Sequence, residues 1–420
     1  MNAIAASDAR VAEVRIDGER LWQSLMDLAR IGATPLGGVR RIALTDLDRQ
    51  GRDRVVAWFR EAGLEVRVDP IGNIFGRRRG RDAKLAPVVA GSHIDTQPSG
   101  GKFDGNYGVL AGLEVVRTLN DRGVETDASI EVAIWTNEEG TRFTPMMMGS
   151  GVFAGVHRLD AVLARTDLAG RAVGDELRRI GYAGDAPTGT PIGAYFEAHI
   201  EQGPILEDTA NTIGVVTGAL GQRWYDVTVT GMNAHAGPTP MRLRKDALLG
   251  AARLIGEVNR IALDFGPHGR GTVGFIQASP NSRNVVPGEV KCSVDFRHAA
   301  DGGLLGMDGE LRATARRIGR EANVAVAIEE VVYFPPCRFD AACVGAVRAA
   351  AARFGCAHTD IVSGAGHDAV YVARVAPTAM IFVPCKDGIS HNEIEDAKPD
   401  DLAAGCNVLA QAMLACALVG

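Results

Sequence analysis

The chain has 420 residues, 46% hydrophobic and 23% charged, which is enough apolar material for two or three ordinary cores. Its formal charge of -6 offers no broad basic surface to a nucleic acid, and no apolar run approaches the roughly 20 residues that cross a bilayer. The 7 cysteines are odd in number and form no CxxC, which disfavours a disulfide framework and a thiolate metal site. The opening MNAIAASDARVAEVRIDGER lacks the basic-then-apolar order of a secretory signal, so the expected location is the cytoplasm.

In chain order, TDLDRQGRDRVVAWFREAG reads as a helix capped by Thr45 and closed by Gly63. GRRRGRD falls between the strand-like NIFG and APVVAG, which makes it the solvated tip of a β-connection and not an anion-binding patch. Strand-like APVVAGSH, helical GVLAGLEVVRTLNDRG, and strand-like SIEVAIWT and AYFEAHIE follow. This alternation implies an α/β fold, a mainly parallel sheet with helices on both faces. From about Gln222 the order becomes βαββαβ: RWYDVTVTG, DALLGAARLIGEVNRIAL, GTVGFIQAS, EVKCSVDFRH, LLGMDGELRATARRIGREA and VAIEEVVYF. That is the split motif of a ferredoxin-like layer. After Pro335 and Pro336 the first rhythm resumes, so residues 217–334 are expected to be an inserted domain, with 1–216 and 335–420 as the two parts of the other.

Four strand-like runs end in coordinating side chains: GSHIDTQPSGGKFDGNYG (His93, Asp95, Asp104), IWTNEEGTRF (Glu138, Glu139), YFEAHIEQGP (Glu197, His199, Glu201) and KDGISHNEIED (His391). A lone histidine or an adjacent acid pair is more often a structural or solvated feature. Here, however, IEVAIWTNEEG runs from a buried apolar segment straight into two carboxylates, and burying two like charges is costly unless a cation or a shared proton compensates. Imidazole and carboxylate together suit zinc, manganese, cobalt or nickel. The number of carboxylates favours two ions over one.

At these residues the sequence resembles the metal-dependent aminoacylase/carboxypeptidase superfamily, and within it the branch of N-carbamoyl-L-amino acid hydrolases, β-ureidopropionases and allantoate amidohydrolases. The ordered motifs GSHIDT…GGKFDGNYGV, NEEGTRF, EAHIEQGP, GMNAHAGPTPM, SPNSRNVVPG, DFRH, SGAGHDA and ISHNEIE carry it across nearly the whole chain. The resemblance implies a zinc-peptidase-like catalytic domain with an inserted lid and dimerisation domain. It implies two divalent ions per subunit, zinc first and manganese, cobalt or nickel as alternatives. Asp104 would bridge them, His93 and His199 would complete one site, and Glu139 and His391 the other. Asp95 would fix the tautomer of His93, and Glu138 would be the general base. In many peptidase relatives a carboxylate stands at the position of His199, so this histidine points to the amidohydrolase branch.

The same resemblance makes His235 an oxyanion donor that reaches the neighbouring subunit's site, hence a homodimer. Arg297, with Asn284 and Gln202, would grip a carboxylate of a small ureido acid, while Gly364 and Ala365 in SGAGHDA would let backbone approach it. By themselves the residues leave His235 as a turn residue, Arg297 as an ordinary ion pair and His367 as structural. The implied activity is release of ammonia and carbon dioxide from an N-carbamoyl-L-amino acid or N-carbamoyl-β-alanine. The alternatives are an allantoate amidohydrolase, an aminoacylase or dipeptidase, and a catalytically silent metal-binding assembly protein; the intact ligand set with Glu138 argues against the last. No nucleic acid and no membrane is expected as a partner.

Overall fold

Short runs of valine, isoleucine, alanine and phenylalanine set the architecture of the computed structural model, which describes residues 14–418. The chain divides into two units, one formed up to Thr217 and again from Phe339, the other from Gly218 to Arg338.

The first unit is organised by β1 (Glu65–Val68), β2 (Ile74–Arg78), β3 (Val88–His93), β4 (Ile130–Trp135), β5 (Ala194–Ile200) and β6 (Ile213–Ala219), joined by β15 (His358–Ser363) and β16 (Thr378–Val383); β14 (Cys337–Arg338), the last residues of the second unit, pairs with the end of β6. The order across the sheet is β1-β2-β4-β3-β5-β16-β6-β14, with β15 also on β6. The central strands β4, β3, β5 and β16 are parallel, and the flanking pairs β1–β2, β2–β4 and β16–β6 are antiparallel. Every residue of the four central strands is buried, as expected when helices cover both faces. The helices Asn106–Asp121 and Pro399–Ala417 pack together on β3 and β5, while Met148–Phe153 lies on β4 and Asp368–Val372 on β5 and β16.

One glycine sets the approach of helix to sheet. A Cβ on Gly108 would stand 2.6 Å from the carbonyl oxygen of Ala198 and 2.8 Å from Ser92 Cβ. Only glycine lets the helix come that close, and the contact brings the loop before the helix over the carboxyl ends of β3 and β5. Open parallel sheets place their chemistry at those ends.

Arg41 holds this loop from behind. It is fully buried, and it donates from Nε to the Ile94 carbonyl (2.7 Å), from Nη1 to the carbonyls of Leu28 (3.0 Å) and Ile31 (2.9 Å), and from Nη2 to Asn106 Oδ1 (2.5 Å). Burial lowers its pKa to about 10, which leaves it a cation at neutral pH.

The second unit contains β7 (Gly221–Thr230), β8 (Ala234–His235), β9 (Arg270–Thr272), β10 (Ile276–Ser279), β11 (Val285–Val286), β12 (Glu289–His298) and β13 (Ala325–Phe334). Its main sheet runs β10-β12-β7-β13, antiparallel, with β9 also on β12. The helices Ala247–Asp264 and Asp301–Ala322 pack on it through Tyr225, Val227, Val229, Val290, Cys292, Val294 and Phe296, the inward positions of β7 and β12. The GTVGFIQAS segment, expected as one strand, is broken into β9 and β10, both of which pair with β12. The unit ends at Arg338 and not at residue 334, because β13 stops pairing before Pro335 and Cys337–Arg338 then pairs with Ala219 and Gly218.

Replacing Arg41 with methionine strands the buried carbonyl of Ile94, the half-buried one of Ile31 and the amide oxygen of Asn106, and leaves Leu28 only the N–H of Ile31. We expect a loss of about 3 kcal/mol or more in urea unfolding. An unchanged midpoint would show that these bonds do not hold the loop.

Candidate metal centre

The carboxyl ends of the parallel strands deliver the site. His93 is the last residue of β3 and His199 the sixth of β5, and both rings point past the sheet toward the loop that precedes the helix Asn106–Asp121. Asp104 lies in that loop, followed by Gly105 at φ 66, where a Cβ would strike the His93 ring. Glu138 and Glu139 follow β4, and His391 follows β16. His93, Asp104 and His199 offer ligand atoms within 4.8 Å of one another, and so do Asp104, Glu139 and His391. Asp104 belongs to both groups.

His93 Nδ1 lies 2.9 Å from the carbonyl oxygen of Asp95, and His199 Nδ1 lies 2.8 Å from that of Ile200. A carbonyl can only accept, so each Nδ1 carries its proton and each Nε2 turns a lone pair outward. Those lone pairs face Asp104 Oδ1 at 3.6 and 3.2 Å, and His391 Nε2 faces Asp104 Oδ2 at 3.2 Å and Glu139 Oε2 at 3.5 Å. Acceptors aimed at each other in a buried place need a positive centre between them. The donor set of neutral imidazole and carboxylate fits a borderline divalent cation.

Protons can take that place, and the crowding shifts proton affinities accordingly. Burial opposes charge on His93, yet Glu138 and Asp104 push its pKa well above the usual range. The bond to Asp104 raises His391 to about 9. Burial and the charge of Asp104 lift Glu139 to about 7, and burial with Asp368, Glu139 and Asp104 nearby lifts Glu138 well above the ordinary carboxylate range. Glu138 Oε2 stands 3.6 Å from His93 Nε2.

Some side chains have other partners than the sequence suggested. The tautomer of His93 is set by the backbone carbonyl of Asp95, whose carboxylate is 3.9 Å away and accepts instead from the N–H groups of Glu138 and Glu139, each at 3.3 Å. Gln202 donates to Asp104 Oδ2 (3.0 Å) and Ser390 Oγ (3.2 Å), so its amide orients the shared carboxylate. In the second unit, Arg297 Nη2 donates to Asp295 Oδ2 at 2.9 Å. His235 pairs in register with Val285, and the Asn284 carbonyl accepts from Ala236 N–H at 2.8 Å, so this unit brings His235 and Asn284 side by side. The position of a Cβ on Gly364 is open, and Ala365 N–H donates to Ser363 Oγ at 3.1 Å.

Sequence reasoning missed Glu395. It is buried, and its Oε1 accepts from the N–H groups of Phe103 (2.9 Å) and Asp104 (3.2 Å) while its Oε2 accepts from Ser390 Oγ (2.7 Å). The second glutamate of NEIED was the only hint. Gln97, which donates to Glu139 Oε2 at 2.7 Å, was missed as well. A further grouping of Glu197, His199 and His367 supports the centre from below. Glu197 already accepts from Ser92 Oγ, Tyr195 Oη and Ala369 N–H, and His367 Nε2 is hydrogen-bonded to Ser363 Oγ.

Glu395 gives the metal-free protein a pH dependence. Burial and Asp104 raise its pKa from 4.5 to about 7, so the folded state holds a proton that the unfolded chain releases. The stability it contributes is complete below pH 4.5 and is lost as pH rises through about 7. In melts run with chelator, Glu395→Gln keeps the hydrogen-bonding geometry and should make that decline shallower by up to about one proton. Equal slopes in the two proteins would disprove the assignment.

Residues 89–415 match Peptidase family M20/M25/M40. The chain is 50% identical over 401 residues to the N-carbamoyl-L-amino-acid amidohydrolase of Rhizobium meliloti, covering 95% of this chain and 96% of that one. It is 34% identical to the ureidoglycolate hydrolase of Oryza sativa subsp. japonica, over 95% and 84% of the two chains. An amidase of the hydantoinase/carbamoylase family from Burkholderia multivorans superposes with a TM-score of 0.95 at 61% identity, covering 97% of this chain and 99% of the other. The chain therefore belongs to peptidase family M20/M25/M40, as a hydrolase of non-peptide C–N bonds.

Proposed function

We propose that the protein hydrolyses the carbamoyl C–N bond of N-carbamoyl-L-amino acids, or of N-carbamoyl-β-alanine, to the amino acid, ammonia and carbon dioxide. The observation that carries this is the pair of imidazole lone pairs turned onto one buried carboxylate, in a chain half identical to an N-carbamoyl-L-amino-acid amidohydrolase. His93, Asp104 and His199 on one side, and Asp104, Glu139 and His391 on the other, are the residues that would hold two divalent cations. Zinc suits this set first, with manganese, cobalt or nickel as alternatives. Two such cations would supply Lewis acidity, lowering the pKa of water and polarising the carbamoyl oxygen.

The residues of the chain do the rest. Glu138 takes a proton from water as the water oxygen bonds to the carbamoyl carbon, then returns that proton to the amino acid nitrogen as the C–N bond breaks. The amino acid leaves, and the carbamic acid left behind separates into ammonia and carbon dioxide. The raised pKa of Glu138 suits both halves of this exchange near neutral pH. Arg297, with Asn284, grips the substrate carboxylate as a fork, exchanging Asp295 for it. His235 donates to the developing oxyanion from a second subunit, which makes the working form a homodimer. Gln202 keeps Asp104 oriented, and the backbone at Gly364 and Ala365 lies along the substrate.

Apo-protein reconstituted separately with each cation, and assayed for ammonia against N-carbamoyl-α-amino acids, N-carbamoyl-β-alanine, allantoate and ureidoglycolate, with N-acetyl amino acids followed by amino acid release, tests the reading. N-carbamoyl acids should be turned over fastest, and only with metal. Faster turnover of allantoate, ureidoglycolate or N-acetyl substrates would replace it with one of those activities. Glu138→Gln should keep its metal content and lose about a hundred- to ten-thousand-fold in kcat. Wild-type turnover by that variant would remove Glu138 from the role of base.

A further inference from the structure

We propose that Met146 is the residue that selects the substrate side chain, giving the enzyme a preference for N-carbamoyl-L-amino acids with large apolar side chains. This rests on the activity proposed above and deepens it. The starting point is the chemistry of the bond. The nitrogen that Glu138 must protonate is attached directly to Cα, so the side chain on Cα branches one bond from the atom that Glu138 has to reach.

The flanking segment is fixed to the base. The Met147 N–H donates to the Glu138 carbonyl at 2.7 Å, and the Met148 N–H donates to that of Asn137 at 3.2 Å. Met147 and Met148 are buried, whereas Met146 is 41% exposed. Across from them runs the glycine-rich turn before His367. A Cβ on Gly366 would stand 3.3 Å from Met147 Cε and 4.0 Å from Met146 Cε, while the position on Gly364 is open. His367 in turn packs edge-on against His199, with centroids 4.6 Å apart. Met146 therefore sits on a rim that joins the Glu138 segment to the His199 side of the centre.

Two charged residues of the loop that carries Met146 are engaged elsewhere. Glu139 faces Gln97 and His391, and Arg142 is paired with Asp167 and Glu176. What this rim presents is a thioether, polarisable and unbranched, which adapts to aliphatic and aromatic groups and gives an acidic side chain nothing to pair with. Ile394, 58% exposed and three residues after His391, is a rival apolar residue, but the chain next to it carries no bond to Glu138 like that of Met147.

The test compares kcat/KM for N-carbamoyl-L-phenylalanine with that for N-carbamoylglycine, which has no side chain to read. In Met146→Ala this ratio should fall about tenfold, with the glycine substrate nearly unaffected. Met146→Leu should restore it, and Ile394→Ala should leave it unchanged. An unaltered ratio in Met146→Ala, an equal fall on both substrates, or a shift produced by Ile394→Ala alone would overturn the proposal. Failure of the unsubstituted enzyme to release ammonia from any N-carbamoyl acid is a separate result, seen before any variant is made, and it overturns the activity itself.

Discussion

The arrangement depends on one constraint: groups that repel each other are held face to face in a buried place. Asp104 confronts the lone pairs of two imidazoles whose protons are committed to backbone carbonyls. Glu138 and Glu139 crowd the same volume. The bonds at Nδ1 keep the rings from turning, so the conflict is removed only by a proton taken up at Nε2 or by a cation placed between the groups. A cation resolves it, and every neighbouring feature reads as a means of keeping the conflict in place until one arrives.

Those means are backbone bonds more than side-chain contacts. Arg41 ties the Ile94 carbonyl, between His93 and Asp95, to Asn106, next to Gly105. Glu395 ties the N–H groups of Phe103 and Asp104 to the segment that carries His391. Asn137, Gln202 and His391 all adopt left-handed backbone, at φ 55, 56 and 53. Each such residue costs about 1 kcal/mol or more, and it persists only where its surroundings determine it. At Asn137 the side-chain amide donates to the carbonyls of Phe143 and Pro145, which closes the loop after β4. Stability and readiness to bind metal are thus opposed at this end of the sheet, and in agreement everywhere else.

The legible part of the sequence was the part written in adjacent residues. Apolar runs ending in His93, Glu138 or His199 announced strands that terminate in acid and imidazole side chains, because an abrupt change of polarity is visible without a partner. The βαββαβ order was legible for the same reason, since β7 and β12 alternate inward and outward residue by residue. The break between β9 and β10 was not, because nothing in GTVGFIQAS signals where pairing with β12 lapses. Arg41 and Glu395 were invisible for a deeper reason. Their partners are carbonyls and N–H groups, which every residue possesses, and Phe103 lies 292 positions from Glu395. Asp95 shows the same limit: the sequence suggested that its carboxylate holds His93, whereas its oxygens serve the amides of Glu138 and Glu139.

That last detail accounts for the adjacent acids. Asp95 Oδ1 accepts from Glu138 N–H and Oδ2 from Glu139 N–H, so one carboxylate fixes two successive peptide units. With the backbone held at both, the two side chains diverge: Glu138 faces His93, and Glu139 faces His391 and Gln97. Adjacent residues on an unrestrained loop would share one environment and compete for one proton or one cation. Here a single buried carboxylate separates them into different roles, one directed toward an imidazole with its own pKa raised by burial, the other completing a ligand group with Asp104. The pair is therefore not redundant. Exchanging either glutamate for aspartate would keep the charge and still withdraw a carboxylate from the histidine it faces.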